Sequence, residues 1–298
     1  MKALRLILFV ASLWSMGPAD TRAQTERERG IGPYTLSTQR GEITARILRR
    51  EGDMIWVDRL VQSGQWIETG LPKSDIILFK APRAQEFINA DNATTPEQIA
   101  TSIDELRRLV ARLRPYRDLP GISVDEALLL NAQLNERRNF WRDALLTYEE
   151  ILNQPYEIKN RQQIRYKAGI CLWRMDQKEK ALTYLLDEPV PEEDLELWSM
   201  VMFSRADALA ALKRHREAVD AYLRMIVFHP FVHSNEVRAL AGIIPSYIEL
   251  GEWDAVVKTF DALRSDYSSA PETAATQELL AKYESNMTEE KEFHMNEE

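Results

Sequence analysis

The chain has 298 residues, 45% of them hydrophobic and 29% charged, with 11 Gly, 13 Pro and a formal net charge of −9. This balance excludes a fibrous chain or a largely unfolded one. A single cysteine, Cys171, excludes an internal disulfide framework.

The first residues read as a targeting segment. Lys2 and Arg5 precede the uncharged apolar run from Leu6 to Met16, and Ala19 and Ala23 are small residues at plausible cleavage positions. This is the layout of a secretory signal peptide over residues 1–23, with the mature chain starting near Gln24. The run is shorter than the roughly 20 residues that cross a bilayer. An uncleaved anchor is the alternative. Cys171 lies far from the leader, so it is no lipid-attachment site, and it reads as a small core residue.

Residues 33–80 read as β structure. Tyr34–Thr38, Ile43–Leu48, Met54–Leu60, Gln65–Thr69 and Asp75–Phe79 are β-branched or aromatic runs separated by turns at Gly41, Gly52-Asp53 and Ser63-Gly64. Such spacing predicts a small antiparallel barrel or curled sheet. The order Gly41-Glu-Ile-Thr-Ala-Arg-Ile-Leu48, Gly52-Asp53, Ile55-Trp-Val-Asp-Arg-Leu60, Leu71-Pro-Lys-Ser-Asp-Ile76 resembles the small SH3-like barrels of the SLA1-homology type. The resemblance implies a barrel and no particular ligand.

Residues 81–122 form a connector and a helix. Thr95-Pro96-Glu97 is a helix start, and Ile99, Ile103, Leu106, Leu109, Val110 and Leu113 share one face. Pro115 and Leu119-Pro120-Gly121 end that helix.

A repeat follows over residues 123–270. Arg142-Asp143-Ala144-Leu145, Glu179-Lys180-Ala181-Leu182, Arg216-Glu217-Ala218-Val219 and Trp253-Asp254-Ala255-Val256 place their alanines 37 residues apart. Twelve positions before each alanine stand Ala132, Gly169, Ala206 and Ile243, and four positions after the first and third stand Tyr148 and Tyr222. Pro155, Pro230 and Pro271 close three of the units. Close-packed antiparallel helices need small side chains where their axes meet, and an aromatic one turn later fills the space against the next unit. The pattern resembles the tetratricopeptide repeat family, whose period is about 34 residues. It implies a mainly α fold: an α-solenoid of about four helical hairpins behind the small β domain. Ile243 and Thr259 break the pattern in the fourth unit. Residues 271–285 read as a capping helix, and 286–298 as a disordered acidic tail.

Charge is uneven. Residues 24–118 carry 15 basic and 14 acidic side chains, and residues 119–298 carry 20 and 32. An acidic repeat region lacks the basic footprint that phosphate backbones require, so nucleic acid is not the expected partner.

No catalytic constellation stands out. His229 and His233 have a metal-like spacing, but Pro230 between them indicates a loop at the end of a repeat. There is no His-Glu-x-x-His, phosphate-binding glycine loop or Gly-x-Ser-x-Gly. Glu192-Glu193-Asp194 reads as a solvated helix start. The expectation is a non-enzyme without cofactor or metal, although a site assembled from residues that the sequence does not group stays open.

What remains is surface. In the family that the repeats resemble, the first helix of each pair lines a concave face. That register places Leu129, Gln133, Tyr166, Ile170, Trp173, Phe203, Asp207, Leu240 and Tyr247 in the lining, with Arg137 and Arg174 at the next step. Leu129, Tyr166, Trp173, Arg174, Phe203 and Tyr247 are the candidate partner contacts. Aromatic groups with arginines at the rim suit an extended peptide with an acidic end, yet a helix turned by one position would bury the same rings. The expected function is an exported envelope adaptor or scaffold, periplasmic or extracellular, that holds a protein or peptide partner without spanning the membrane. The alternative is an envelope-polymer or carbohydrate-binding module in which Trp56 and Trp66 stack on sugars.

Overall fold

Alternating apolar and polar residues between glycine turns form five antiparallel strands in a computed structural model of the chain, which describes residues 30–158, 160–186 and 194–284. The expected leader (1–23) and acidic tail (286–298) lie outside the described residues. The strands are β1 (Ile31–Thr38), β2 (Gly41–Glu51), β3 (Met54–Leu60), β4 (Trp66–Pro72) and β5 (Ile76–Lys80), in the order β4-β3-β2-β1-β5.

The expected closed barrel does not form. The sheet is open, with β4 and β5 at its edges and no ladder between them. The outer edge of β5 has another partner, because the Phe79 amide donates to the Pro120 carbonyl at 2.8 Å. The sheet is nevertheless curled. A single 3-10 turn, Lys73–Asp75, joins the two edge strands. Four residues reach at most about 14 Å, whereas the edges of a flat five-stranded sheet lie about 19 Å apart. Leu36, Ala45, Ile47, Ile55 and Val57 alternate onto one face, are fully buried, and meet Ile76, Phe79, Tyr116 and Leu119.

Eleven α-helices follow among the described residues: α1 (Gln85–Asn92), α2 (Pro96–Leu113), α3 (Val124–Arg137), α4 (Trp141–Leu152), α5 (Arg161–Arg174), α6 (Lys178–Leu185), α7 (Leu195–Ala211), α8 (His215–Phe228), α9 (Asn235–Leu250), α10 (Trp253–Asp266) and α11 (Pro271–Leu280). α1 falls in the stretch read as connector. α2 starts on a reciprocal cap. The Gln98 amide donates to the Thr95 hydroxyl at 3.3 Å, and the Thr95 amide donates to the Gln98 side chain at 3.1 Å. The chain divides into two compact units, one ending at Asn92 and completed by Glu105–Ala127, the other made of Ala93–Asp104 and the residues from Leu128 onward. No helix among the described residues is long and apolar enough to cross a membrane.

In the second unit each helix from α5 to α10 packs on the next, while α5 also touches α7, α7 touches α9, and α9 touches α11. Ala132, Ala144, Ala181, Ala206 and Ala218 have no exposed surface. A Cβ at Gly169 would stand 2.9 Å from Leu185 and Tyr184, so α5 and α6 approach too closely for even a methyl group. Tyr148 and Tyr222 fill buried positions, 0% and 3% exposed.

The fourth repeat is offset by one residue. Asn139, Asp176 and Lys213 are left-handed (φ 58°, 61° and 59°), each five residues before its buried alanine. The next left-handed turn residue, Gly251 (φ 72°), comes 38 residues after Lys213. The extra residue lies in α9, because 16 positions separate left-handed Asn160 from Asp176 and 17 separate Ser234 from Gly251. Val256 (0% exposed), rather than Ala255, therefore takes the helix contact, and Phe260 (8%) takes the aromatic position.

Candidate functional site

The helix pairing of the second unit brings the ends of α5 and α6 beside α7 and α9. Trp173 and Phe203 meet edge to face, with ring centroids 6.1 Å apart at 89°, and Phe203 meets Tyr222 at 6.2 Å and 72°. The Trp173 indole N–H donates to the Asp207 carboxylate, and the Lys178 ammonium donates to the same oxygen at 3.1 Å. Trp173 and Phe203 are half-buried and lean on a core that includes Met202, Leu209 and Tyr222.

Three cations surround these rings. The Arg174 guanidinium carbon lies 4.6 Å from the Trp173 ring centroid and 5.5 Å from that of Trp141. Lys178 Nζ lies 5.0 Å from the Trp173 ring. Arg238 lies 4.1 Å over Phe203. Among the described residues Arg174 and Arg238 have no ion pair. Burial pulls the Arg238 pKa down, the charge of Arg174 adds to that, and Glu272 partly offsets both. The two guanidiniums are thus near enough to repel, and the Glu272 carboxylate is near enough to Arg238 to offset part of that repulsion without an ion pair.

Beside Arg238 is a shallow cavity of about 370 Å³ lined by Phe203, Ala241, Gly242, Glu272, Ala275, Thr276 and Leu279. A neighbouring one of about 460 Å³ is lined by Asp207, Ala210, Ala211, Pro245, Glu249, Leu279 and Tyr283. Rings, small side chains and unpaired guanidiniums together suit a segment that carries both an apolar side chain and a carboxylate.

The sequence-predicted contacts separate into two groups. Trp173, Arg174 and Phe203 come together here. Tyr166 is fully buried, with its hydroxyl accepting from Gln162 at 3.2 Å, so it belongs to the packing; Ile170 is 2% exposed and does the same. Leu129 and Gln133 are half-buried on α3, Arg137 donates to the Ala93 carbonyl at 2.7 Å, and Leu240 and Tyr247 are half-buried on α9. The open stripe of α9 is Arg238, Ala241, Gly242, Pro245 and Glu249. Leu240 and Tyr247 follow from an unbroken 37-residue register, which the extra residue in α9 displaces. Sequence reasoning missed Arg238 because the lining positions taken from the repeats begin at Leu240 in this helix.

Other chemistry-bearing residues have structural partners. The Cys171 thiol points to Glu136 at 3.8 Å, and burial first, then Glu136, pushes its pKa up, which keeps it protonated and unreactive. His229 follows α8 and meets Trp198 edge to face, with ring centroids 4.7 Å apart. No cluster of three metal-ligating side chains occurs among the described residues. Asp194 caps α7 by accepting from the Leu197 amide at 3.0 Å, while Glu192 and Glu193 lie outside the described residues. Trp56 and Trp66 are half-buried under arginines, with Arg49 at 4.6 Å and Arg46 at 4.0 Å, so neither ring is a bare platform for a sugar. The first unit holds a cavity of about 860 Å³ that includes Lys80, Arg83 and Arg112. These cations are paired, with Glu42 at 2.5 Å, Asp91 at 2.8 Å and Glu86 at 3.2 Å respectively.

No protein-family model and no curated protein matches the chain. Among solved structures it is similar to YrrB, described as a TPR protein with an unusual peptide-binding site, at a TM-score of 0.46 and 16% identity, covering 61% of this chain and 89% of that one.

Proposed function

We propose that this chain is a non-catalytic adaptor whose α3–α10 pairs form a tetratricopeptide-like stack of four hairpins, capped by α11, and that the face made by α5, α7 and α9 holds an extended segment of a protein partner. The stack is supported by the 37-residue alanine spacing, the buried alanines and the side-by-side contacts of α5, α7 and α9. The binding reading is carried by one observation: Arg174 and Arg238 flank Trp173 and Phe203 without a carboxylate partner among the described residues. A ligand carboxylate would form charge-assisted hydrogen bonds there, while an apolar side chain covers the rings.

The test is fluorescence anisotropy with a labelled peptide of alternating Glu and Phe. Binding is expected to weaken at least tenfold in Arg174→Glu/Arg238→Glu, with helix content and melting unchanged. Equal binding by the double variant overturns the assignment. Export to the cell envelope is part of the same proposal and is motivated by Lys2, Arg5 and the Leu6–Met16 run. Mass spectrometry of the native protein should find a mature start near Gln24, and a soluble mature protein that retains Met1 would exclude export by this leader.

A further inference from the structure

We propose that the acidic segment 285–298 of this chain docks on the cationic aromatic face formed by α5, α7 and α9, where it competes with a partner's segment; this rests on the reading of that face given above. The composition of the segment complements the face. Glu289, Glu290, Glu292, Glu297 and Glu298 surround Phe293, with Lys291 as the one Lys or Arg. It thus carries the same pairing of carboxylates and ring that Arg174, Arg238, Trp173 and Phe203 are built to receive. The rest of the repeat region is acidic and would repel it.

The chain also leaves α11 at the right place. Tyr283 lines the same cavity as Asp207 and Pro245, and the described residues end one position later, at Glu284. Asp207 is the residue that holds Trp173 and Lys178. From Tyr283 the site is two helix spacings away, roughly 20 Å at the usual interaxial distance. The 14 residues of the segment span up to about 45 Å when extended. A tethered segment meets its site at about millimolar effective concentration, so weak contacts suffice to populate the docked state. Glu272 lines the same cavity as Arg238 without forming an ion pair to it, so the guanidinium is open to a carboxylate of the tail.

The experiment uses the full mature chain and a labelled synthetic peptide of residues 285–298. The tail-neutralised variant Glu289→Gln/Glu290→Gln/Glu292→Gln should bind the peptide at least tenfold more tightly than the natural chain, because its own tail no longer competes. Adding Arg174→Glu and Arg238→Glu should remove that binding while the thermal melt stays in place. Equal affinity of the natural and tail-neutralised chains overturns the proposal, and so does binding that ignores the two arginines. A parallel titration with the Glu-Phe peptide separates the two readings. If that peptide binds through Arg174 and Arg238 and the 285–298 peptide does not, the face stands and the tail proposal falls. If neither peptide binds, both fall.

Discussion

The guanidinium of Arg238 lies 4.1 Å over the ring of Phe203, half-buried and facing the like charge of Arg174. A cation over a ring gains about 0.5–2 kcal/mol, depending on how far it is desolvated. Burial and like-charge repulsion oppose that gain. Glu272 offsets part of that cost, and a bound anion, as proposed above, would offset more.

Replacing Arg238 with Met should therefore leave the folded state within about 1 kcal/mol of the natural protein, since the lost ring contact is offset by removal of the repulsion. The same variant should bind the acidic probe roughly tenfold more weakly, because a charged hydrogen bond contributes about 1.5–3 kcal/mol. Chemical denaturation and anisotropy on one preparation check both arms. A large loss of stability with unchanged binding would assign Arg238 to the scaffold instead.

The rings beneath the arginines behave differently. Trp173 and Phe203 pack against the core beside Met202, Leu209 and Tyr222. Phe203→Ala should destabilise by about 2–4 kcal/mol, near the lower end for large-to-small changes in aromatic residues because the ring is half-buried. The melting temperature reports this directly. Binding loss in a Trp173→Ala/Phe203→Ala double variant must be read against its lowered stability, whereas the arginine variants isolate recognition from packing.

The fold was largely legible in the sequence, because its two periods are set by local geometry. Glycine turns mark the first four strands, and the alanines at 144, 181 and 218 mark contacts where only small side chains fit. Two features were not legible. Closure of the sheet depends on which group pairs with the outer edge of β5, and Pro120, 41 residues beyond Phe79, takes that place. The sequence grouped Trp173, Arg174 and Phe203, and the structure brings these three side chains together. Beyond α8 the expected lining and the structure part, because one extra residue inside α9 moves the open stripe from Leu240 to Ala241, and Arg238 lies ahead of the positions that the register supplied. Ile243 and Thr259 mark the fourth unit as irregular, but a helix absorbs an added residue without any change in composition, so the pattern does not say where the residue enters. Tyr166 shows the converse, since the register that places it on the face cannot tell a lining ring from one turned inward.

That offset makes its own prediction. Ala218→Leu should overpack a position with no exposed surface and cost about 1–3 kcal/mol. Val256→Ala should leave a cavity and cost about 1–3 kcal/mol, because Val256 holds the equivalent contact in the fourth repeat. Ala255→Leu, at a half-buried position, and Ala274→Leu, at an exposed one, should both be milder. Thermal melts of the four variants test the register. A large effect at Ala255 with none at Val256 would restore the unbroken 37-residue spacing.

Acid should weaken the first unit through Asp118. Its carboxylate accepts from Arg50 at 2.5 Å and 3.1 Å and from Lys73 at 2.5 Å, and Arg50 also donates to the Pro115 carbonyl at 2.8 Å. These contacts tie the turn after α2 to β2 and to the link between β4 and β5. The Arg50 hydrogen bonds first, and Lys73 after them, hold the Asp118 pKa well below the usual carboxylate range against the opposing effect of burial. A carboxylate whose folded pKa is depressed contributes stability above its unfolded value, about 3.9, and loses it as pH falls toward the folded value. Asp118→Asn removes that pH dependence and leaves the other carboxylates to titrate as before. The melting temperature of Asp118→Asn should therefore lie below that of the natural protein by a constant margin above about pH 5, and the margin should shrink below about pH 4. Melts at matched ionic strength across that range decide the point, because a margin that stays constant down to pH 3 would mean that Asp118 stabilises this turn by neutral hydrogen bonding alone.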